Sequence, residues 1–214
     1  MKSSDYGLFQ RLVRVVRVTD MHQLRADMAV AGTLGVVGDV ICQRVIEKSQ
    51  QGSSTEPPMD ARRTSAICVF NTMYCGGCLH FLFRFYPPIV YAAARRLPAG
   101  TALRQRLLSE GTTAHAAGCA IVDNIHCALI YTPAFFLAVG PLQGNSFATS
   151  LSTLRAEWWN TYMGCCGFWV PFMLVSFSYI PATRRVYAMN AANLAWCVFI
   201  DFIAHRGAHR APEE

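Results

Sequence analysis

The sequence predicts an all-α fold: a polytopic transmembrane helix bundle of four to five spanning helices, preceded by a basic amphipathic N-terminal helix. Apolar residues make up 53% of the 214 residues and charged residues only 15%, whereas about 25% charged residues is usual for a soluble domain. The apolar residues are collected in blocks close to the ~20 residues that a helix needs to cross a bilayer core. Polar and mostly basic stretches separate these blocks. A multi-pass membrane protein follows from the three observations together.

Each of five apolar blocks is a predicted helix. Two of them are long enough to contain a break, which Pro87-Pro88 and Pro133 supply, because proline removes a backbone donor from the helix. A soluble protein built of buried helices is the alternative, but the chain offers too little polar surface to cover five such helices. The blocks are Met28–Ile46, Ala66–Ala94, Thr113–Gly140, Met163–Ile180 and Val186–Ala204.

The chain divides into three segments. Residues 1–25 form a basic amphipathic segment, in which Arg11, Arg14 and Arg17 recur at helical spacing among leucines and valines. Such a helix lies on a membrane face or helps to address an organelle. Residues 26–206 form the transmembrane domain, and residues 207–214 form a charged tail.

The connections between blocks are polar. The stretch Glu47–Arg63 contains Gly, Ser and Pro and is predicted to be a flexible loop. With five spans, Lys and Arg are more numerous on the side of the N-terminus, which places that side on the positive-inside face. A four-span arrangement would move the tail to the other side.

Nine cysteines all fall inside the apolar blocks. Cys75 and Cys78 form a C-x-x-C motif two residues before His80, but its position within a block argues against a redox dithiol. Haem attachment requires the histidine directly after the second cysteine, and a zinc site requires a second ligand pair at suitable spacing. Neither pattern is present in the sequence, so we predict no metal site and treat these cysteines as small apolar residues.

Polar residues recur within the blocks and are the candidate functional residues. Asp39 and Gln43 share one helix face after a strip of glycines that ends at Gly38. In the later blocks Gly76, His80 and Arg84 are spaced by four residues, Asp123 and His126 share a face, and Asn193 and Asp201 lie on one edge. Ionisable groups at membrane depth are typical of solute pathways. Alternatively, they hydrogen-bond to one another and hold the helices together.

No catalytic motif accompanies these residues. The blocks contain no G-x-S-x-G elbow, H-E-x-x-H pair, phosphate-binding glycine loop or cofactor fingerprint. We therefore predict a protein that is not an enzyme and has neither catalytic residues nor cofactors. Its expected partners are the lipid bilayer, a small solute of unknown identity, and copies of itself or another membrane complex, and not nucleic acid.

The pattern resembles a family of small integral membrane proteins from peroxisomes and the mitochondrial inner membrane, which includes Mpv-seventeen and Sym-one. The first-helix motif of that family, A-G-x-L-x-x-x-G-D-x-x-x-Q, is complete here. Its residues are Ala31, Gly32, Leu34, Gly38, Asp39 and Gln43. A second motif, G-P-x-x-H-x-W-Y, keeps Gly76 and His80, and the Asp-Gln pair of the third helix corresponds to Asp123 and Asn124.

The longest signature of the family, W-P-x-x-Q-x-x-N-F-x-x-x-P-x-x-x-R, is partly kept. Trp169, Phe177, Pro181 and Arg185 stand in register, and Trp196 begins the closing motif. Two amides of the signature are replaced by Met173 and Ser176, so the resemblance implies no role that depends on those amides. Arg185 is expected to be an interfacial anchor or a partner for a buried acid.

The resemblance implies a multi-pass protein of the mitochondrial inner membrane, with a peroxisomal or related organelle membrane as the alternative. It further implies a channel or transport-related protein that affects small-solute flux and organelle homeostasis. A non-conducting structural organiser of a membrane complex is the alternative function. For a pathway, the first candidates are Asp39, His80 and Asp123.

Overall fold

A computed structural model describes residues 21–47, 58–180 and 182–205, and this part of the chain is helical without strands. The basic N-terminal arginines and the charged tail lie outside the described residues. The helices are α1 (Met21–Ile41, continued by a π-helix Cys42–Glu47), α2 (Ala61–Ala94), α3 (Ala102–Leu108), α4 (Thr113–Leu142), α5 (Phe147–Tyr179) and α6 (Ala182–His205). The predicted all-α class is confirmed, and each predicted block falls on one long helix, with Ile180 one residue beyond the end of α5.

Helix α2 and helix α4 change their winding just before their prolines. In α2, a 3₁₀ segment Phe83–Phe85 directly precedes Tyr86-Pro87-Pro88, and in α4 a π segment Cys127–Tyr131 precedes Pro133. Proline cannot donate to the carbonyl four residues earlier, so the turn before it has to satisfy its carbonyls differently. The predicted breaks therefore occur as local changes of winding within continuous helices.

Five long helices form a closed ring. In order around the ring, α1 packs on α2, α2 on α4, α4 on α5, α5 on α6, and α6 on α1. Helices α1 and α2 run in opposite directions, since Gly35 faces Asn71 and Met28 faces Gly76. A core of aromatic and aliphatic side chains, which includes Phe70, Tyr131, Phe135 and Trp196, fills one half of the ring.

Glycines of α1 let the neighbouring helices approach closely. A side chain at Gly35 would meet Asn71 on α2, and one at Gly38 would lie 2.9 Å from Cβ of Cys197 on α6. Small residues at such crossings increase van der Waals contact between helices in a membrane. The glycine strip of the family motif is thus a packing surface toward two helices.

The prediction of a flexible loop over Glu47–Arg63 is wrong at the C-terminal boundary of the loop. Helix α2 begins at Ala61, five residues before the predicted block, and Asp60 caps it by accepting a hydrogen bond from the Arg63 backbone N–H at 2.9 Å. Arg63 is therefore part of a helix, and its side chain is buried. The polar composition that suggested a loop reflects a helix start and a buried ion pair.

Within the part of the chain that the structure describes, three helices are long and apolar enough to cross a membrane: Met21–Ile46, Ala61–Ala94 and Thr113–Leu142. A shorter apolar stretch, Ala191–Ile203, lies in α6. The outer surface agrees, since Ile121, Ile125 and Leu129 recur every four residues on α4 and are largely exposed. Such an apolar outer face suits lipid. The multi-pass membrane prediction is confirmed, while a fourth and a fifth span remain predictions.

Candidate functional site

A cavity of about 560 Å³ lies inside the ring and is lined by residues from all five long helices. Cavities of about 300–1,000 Å³ are typical of small-molecule sites. The polar groups in its wall are Gln23, Asp27, His80, Tyr86, Asp123, His126, Tyr131 and Asn193. The remaining wall is apolar and aromatic. Three of the residues predicted for a polar pathway or helix packing, Gly76, His80 and Asp123, are therefore brought together around one space, which the signature residues Trp169 and Trp196 also line.

One polar group at the cavity joins α1 to α2. Nδ1 of His80 lies 2.7 Å from Oδ2 of Asp27, and Nη2 of Arg84 lies 3.1 Å from Nε2 of the same imidazole. Because an arginine can only donate, Nε2 accepts and Nδ1 carries the proton that is donated to Asp27. Asp27 and Arg84 are thus linked through a neutral histidine, and the charge of the group is balanced internally.

A second polar group joins α2 to α4 in a chain of hydrogen bonds. The hydroxyl of Tyr86 donates to Oδ1 of Asp123 at 3.0 Å and lies 3.2 Å from Nδ1 of His126, whose Nε2 lies 2.9 Å from the hydroxyl of Tyr74. The single proton of Tyr86 goes to the carboxylate, so Nδ1 of His126 must donate to Tyr86 and Nε2 accepts from Tyr74. Every donor in the chain points toward Asp123, which stabilises a negative charge on its carboxylate.

Asp123 differs from Asp27, Asp39 and Asp201 in having no cation linked to it. In the described ranges it takes part in no ion pair, whereas Asp27 is linked to Arg84 through His80, and both Asp39 and Asp201 pair with Arg63. The cavity wall built from these residues contains two carboxylates and neither lysine nor arginine. The cavity is therefore an acidic space with aromatic walls.

A separate ion-pair cluster lies at the opposite end of the bundle. Nη2 of Arg63 donates to Oδ2 of Asp201 at 2.6 Å, and Nε of Arg63 lies 2.9 Å from Oδ1 of Asp39, at ion-pair distance but outside hydrogen-bond geometry. Thr64 donates its hydroxyl to Oδ2 of Asp39 at 2.5 Å. All three charged side chains are buried, with at most 7% of each exposed. One guanidinium thus ties the end of α1 and the end of α6 to the start of α2.

Gln43 completes this cluster by connecting the end of α1 to the cap of α2. Its side-chain nitrogen donates to Oδ2 of Asp39 at 2.8 Å, and its side-chain oxygen accepts from the backbone N–H of Asp60, also at 2.8 Å. Gly38 lies beside the cluster against α6. None of Gly38, Asp39 and Gln43 lines the described cavity. These three predicted site residues form a structural junction, with Asp39 about 18 Å along α1 from Asp27 at about 1.5 Å per residue.

The other predicted site residues are distributed differently. Asn124 turns back into its own helix and donates to the carbonyl of Ala120 at 2.9 Å, away from the cavity wall. Trp169 and Trp196 meet across α5 and α6 with ring centroids 6.2 Å apart, and both line the cavity. Pro181 and the side chains of Phe177 and Arg185 lie outside the described residues.

Sequence reasoning missed Arg63 and two tyrosines. Arg63 was assigned to a loop, although the expected partner of a buried acid was sought in Arg185. Tyr74 and Tyr86 stand among other aromatic residues and gave no local signal, even though each contacts His126. Each tyrosine is six residues from His80, a spacing that does not place it on the same helix face, and their partner on α4 depends on the tertiary arrangement.

The two cysteines of the C-x-x-C motif face different surroundings in the fold. Cys75 and Cys78 are free thiols in the π segment Asn71–Cys78, and Cys75 lines the cavity while Cys78 is exposed on the outer face. Within the described residues, no group of three or more His, Cys, Asp or Glu side chains is arranged to hold a metal ion.

Comparison with known proteins identifies a matching protein family. The family described as "Mpv17 / PMP22 family" matches residues 140–201. These residues cover the end of α4, all of α5 and most of α6, and they include Trp169 and Trp196. The family resemblance predicted from the motifs is confirmed, since this is the family of Mpv-seventeen.

Relatives match along most of the chain at modest identity. A protein of Dictyostelium discoideum named "PXMP2/4 family protein 4" is 22% identical over 79% of this chain and 80% of its own length. The "Mitochondrial inner membrane protein Mpv17" of Danio rerio is 23% identical over 86% of this chain and 92% of its own. The "Peroxisomal membrane protein 2" of Bos taurus is 21% identical over 88% of this chain and 87% of its own. No solved structure matches the chain.

Proposed function

We propose that this chain, an organellar membrane protein similar to the Mpv17 / PMP22 family, provides a pathway for a small solute through its ring of helices. The observation that carries the proposal is the cavity of about 560 Å³ that residues of all five long helices line. Ligand sites of membrane transport proteins are built in this way, from polar side chains of several helices that face an interior space. The names of its relatives favour the mitochondrial inner membrane, with the peroxisomal membrane as the alternative.

The two polar regions have different roles in this proposal. The cavity lies in the N-terminal half of α1 and the C-terminal halves of α2 and α5, so a solute enters from the side of the N-terminus. The ion-pair cluster of Asp39, Arg63 and Asp201 closes the opposite end. Between the two regions, Phe70 packs edge-on against Phe135 with ring centroids 5.3 Å apart, and the space is filled. Passage through the bundle therefore requires the helices to separate at the ion-pair end.

Filling the cavity tests the proposal. We expect Leu79→Trp to abolish most solute flux into proteoliposomes and most current in planar bilayers, because Leu79 lines the cavity and a larger ring occupies the space. The matched control is Leu129→Trp, whose side chain is 67% exposed on the outer face of α4. Tryptophan at a lipid-facing position should leave flux unchanged.

The same pair of variants separates a pathway from a scaffold. A non-conducting organiser would show no flux above empty vesicles in the wild-type protein, although the protein is folded and inserted. Equal flux through both variants would contradict a route through this cavity. We also predict that the protein has no enzymatic activity.

A further inference from the structure

We infer that the cavity binds a small organic cation of the ammonium class, with Asp123 as its counter-ion and aromatic side chains as its wall. This inference rests on the proposed function, because it names the solute class that the same cavity accepts. Asp123 faces the cavity without a cation beside it among the described residues, and Tyr86 donates a hydrogen bond to only one of its oxygens. A carboxylate at membrane depth is costly unless a positive charge compensates it.

The charge balance of the wall excludes an anion. Among the described residues that line the cavity, Asp27 and Asp123 are the acids, and there is neither lysine nor arginine to oppose them. Asp27 is already compensated by Arg84 through His80. The tautomer that donates toward Tyr86 leaves His126 neutral. Among the described residues of the wall, one negative charge therefore has no compensating cation, at Asp123.

The chemistry of the wall selects an organic cation over a metal ion. Metal ions such as Mg²⁺ and Ca²⁺ need about six or more oxygen ligands, counting water, and the described residues contain no cluster of His, Cys, Asp or Glu that could supply a site. Instead, five of the lining side chains are aromatic: Phe83, Tyr86, Tyr131, Trp169 and Trp196. Aromatic faces attract ammonium groups, and Trp is the most effective of them. Trp169 and Trp196 provide two such rings on the α5 and α6 side of the cavity.

Three probes of one shape test the inference: 2-phenylethylammonium, 2-phenylethanol and phenylacetate, which are cationic, neutral and anionic. We expect isothermal titration calorimetry on the full chain in lipid nanodiscs to show saturable binding of the cation at one site. The alcohol and the anion should not saturate. Asp123→Asn should weaken binding of the cation by about tenfold or more, since one charge pair is lost.

Matched variants separate a binding role from a folding role. Glu157→Gln removes a carboxylate from α5 outside the cavity wall, where it accepts from Asn160 at 3.1 Å, and should bind the cation as the wild type does. Asp123→Glu should retain part of the affinity. Trp169→Leu should weaken binding, whereas Trp159→Leu, at a 60% exposed position, should not. A circular dichroism melt confirms that each variant is folded.

The outcomes distinguish this inference from the proposed function. Binding of the anion with equal or greater affinity, or binding that Asp123→Asn leaves unchanged, would overturn the ammonium site even when the vesicles conduct. An absence of saturable cation binding to folded wild-type protein would overturn it as well. Cation binding without any flux would contradict the pathway and leave the site established.

Discussion

Replacing Arg63 by methionine is expected to destabilise the bundle by about 3–5 kcal/mol, the usual cost of removing one partner from a buried ion pair. The guanidinium contacts Asp39 at 2.9 Å and Asp201 at 2.6 Å, and all three side chains are buried. Methionine retains the unbranched apolar stem of arginine but lacks the guanidinium, so the main loss is electrostatic. The variant should accumulate poorly in membranes and unfold at a lower denaturant concentration than the wild type.

Arg62→Met is the matched control for this experiment. Arg62 precedes Arg63 in the chain, but it is exposed, and its Nε donates to the carbonyl of Leu142 at 3.4 Å. Exposed polar contacts of this kind contribute about 0–1 kcal/mol. A loss of stability for Arg63→Met no larger than that for Arg62→Met would contradict the ion-pair cluster as the tie between α1, α2 and α6.

Neutralising the acids should rescue the arginine variant. In the triple variant Arg63→Met, Asp39→Asn and Asp201→Asn, the two carboxylates no longer need a buried cation, and amides of the same shape replace them. Neutral replacements of buried ion pairs often retain or increase stability. We therefore expect the triple variant to be more stable than Arg63→Met alone, which a packing defect at residue 63 does not predict.

Helix positions could be predicted from the sequence because membrane helices carry their signal locally. Each apolar block is long, and the prolines mark the turns where winding changes. The helix starts were harder, since the start of α2 is polar. The polar sequence around Asp60, Arg63 and Thr64 is typical of a loop. In the structure, Asp60 caps α2 at the Arg63 N–H, and the side chains of Arg63 and Thr64 bind buried acids on two other helices.

The polar residues could be predicted as a set but not sorted into sites. His80 meets Asp27, which is 53 residues away in the chain, and Tyr74 meets His126 at a separation of 52 residues. These pairings depend on the rotation of each helix within the ring, and a single helical pattern does not fix rotation relative to a neighbour. Asp39 and Asp123 therefore appeared equivalent in sequence, although one is held by Arg63 and the other faces the cavity.

Alanine at Gly76 is expected to displace α1, with a cost of about 1–3 kcal/mol, the range for overpacking a close contact. A Cβ at this position would overlap Cα of Met28 and lie 2.8 Å from the carbonyl oxygen of Asp27. Both atoms belong to the backbone of α1, so no side chain can rotate away to relieve the contact. Because Asp27 also accepts from His80, the displacement should open the cavity wall and reduce cation binding together with stability.

The adjacent glycine provides the control, because Gly77→Ala makes the same chemical change one residue along α2. The added Cβ would come no closer than 3.7 Å to the carbonyl oxygen of Thr72, an ordinary contact. Alanine is favoured over glycine within a helix by up to about 1 kcal/mol, so Gly77→Ala should leave stability unchanged or raise it, in thermal unfolding of the purified protein in detergent. A loss of stability for Gly76→Ala without a loss for Gly77→Ala would support the close approach of α1 at Gly76. Equal changes in stability for the two variants would contradict that approach, and with it the position of Asp27 beside His80 in the cavity wall.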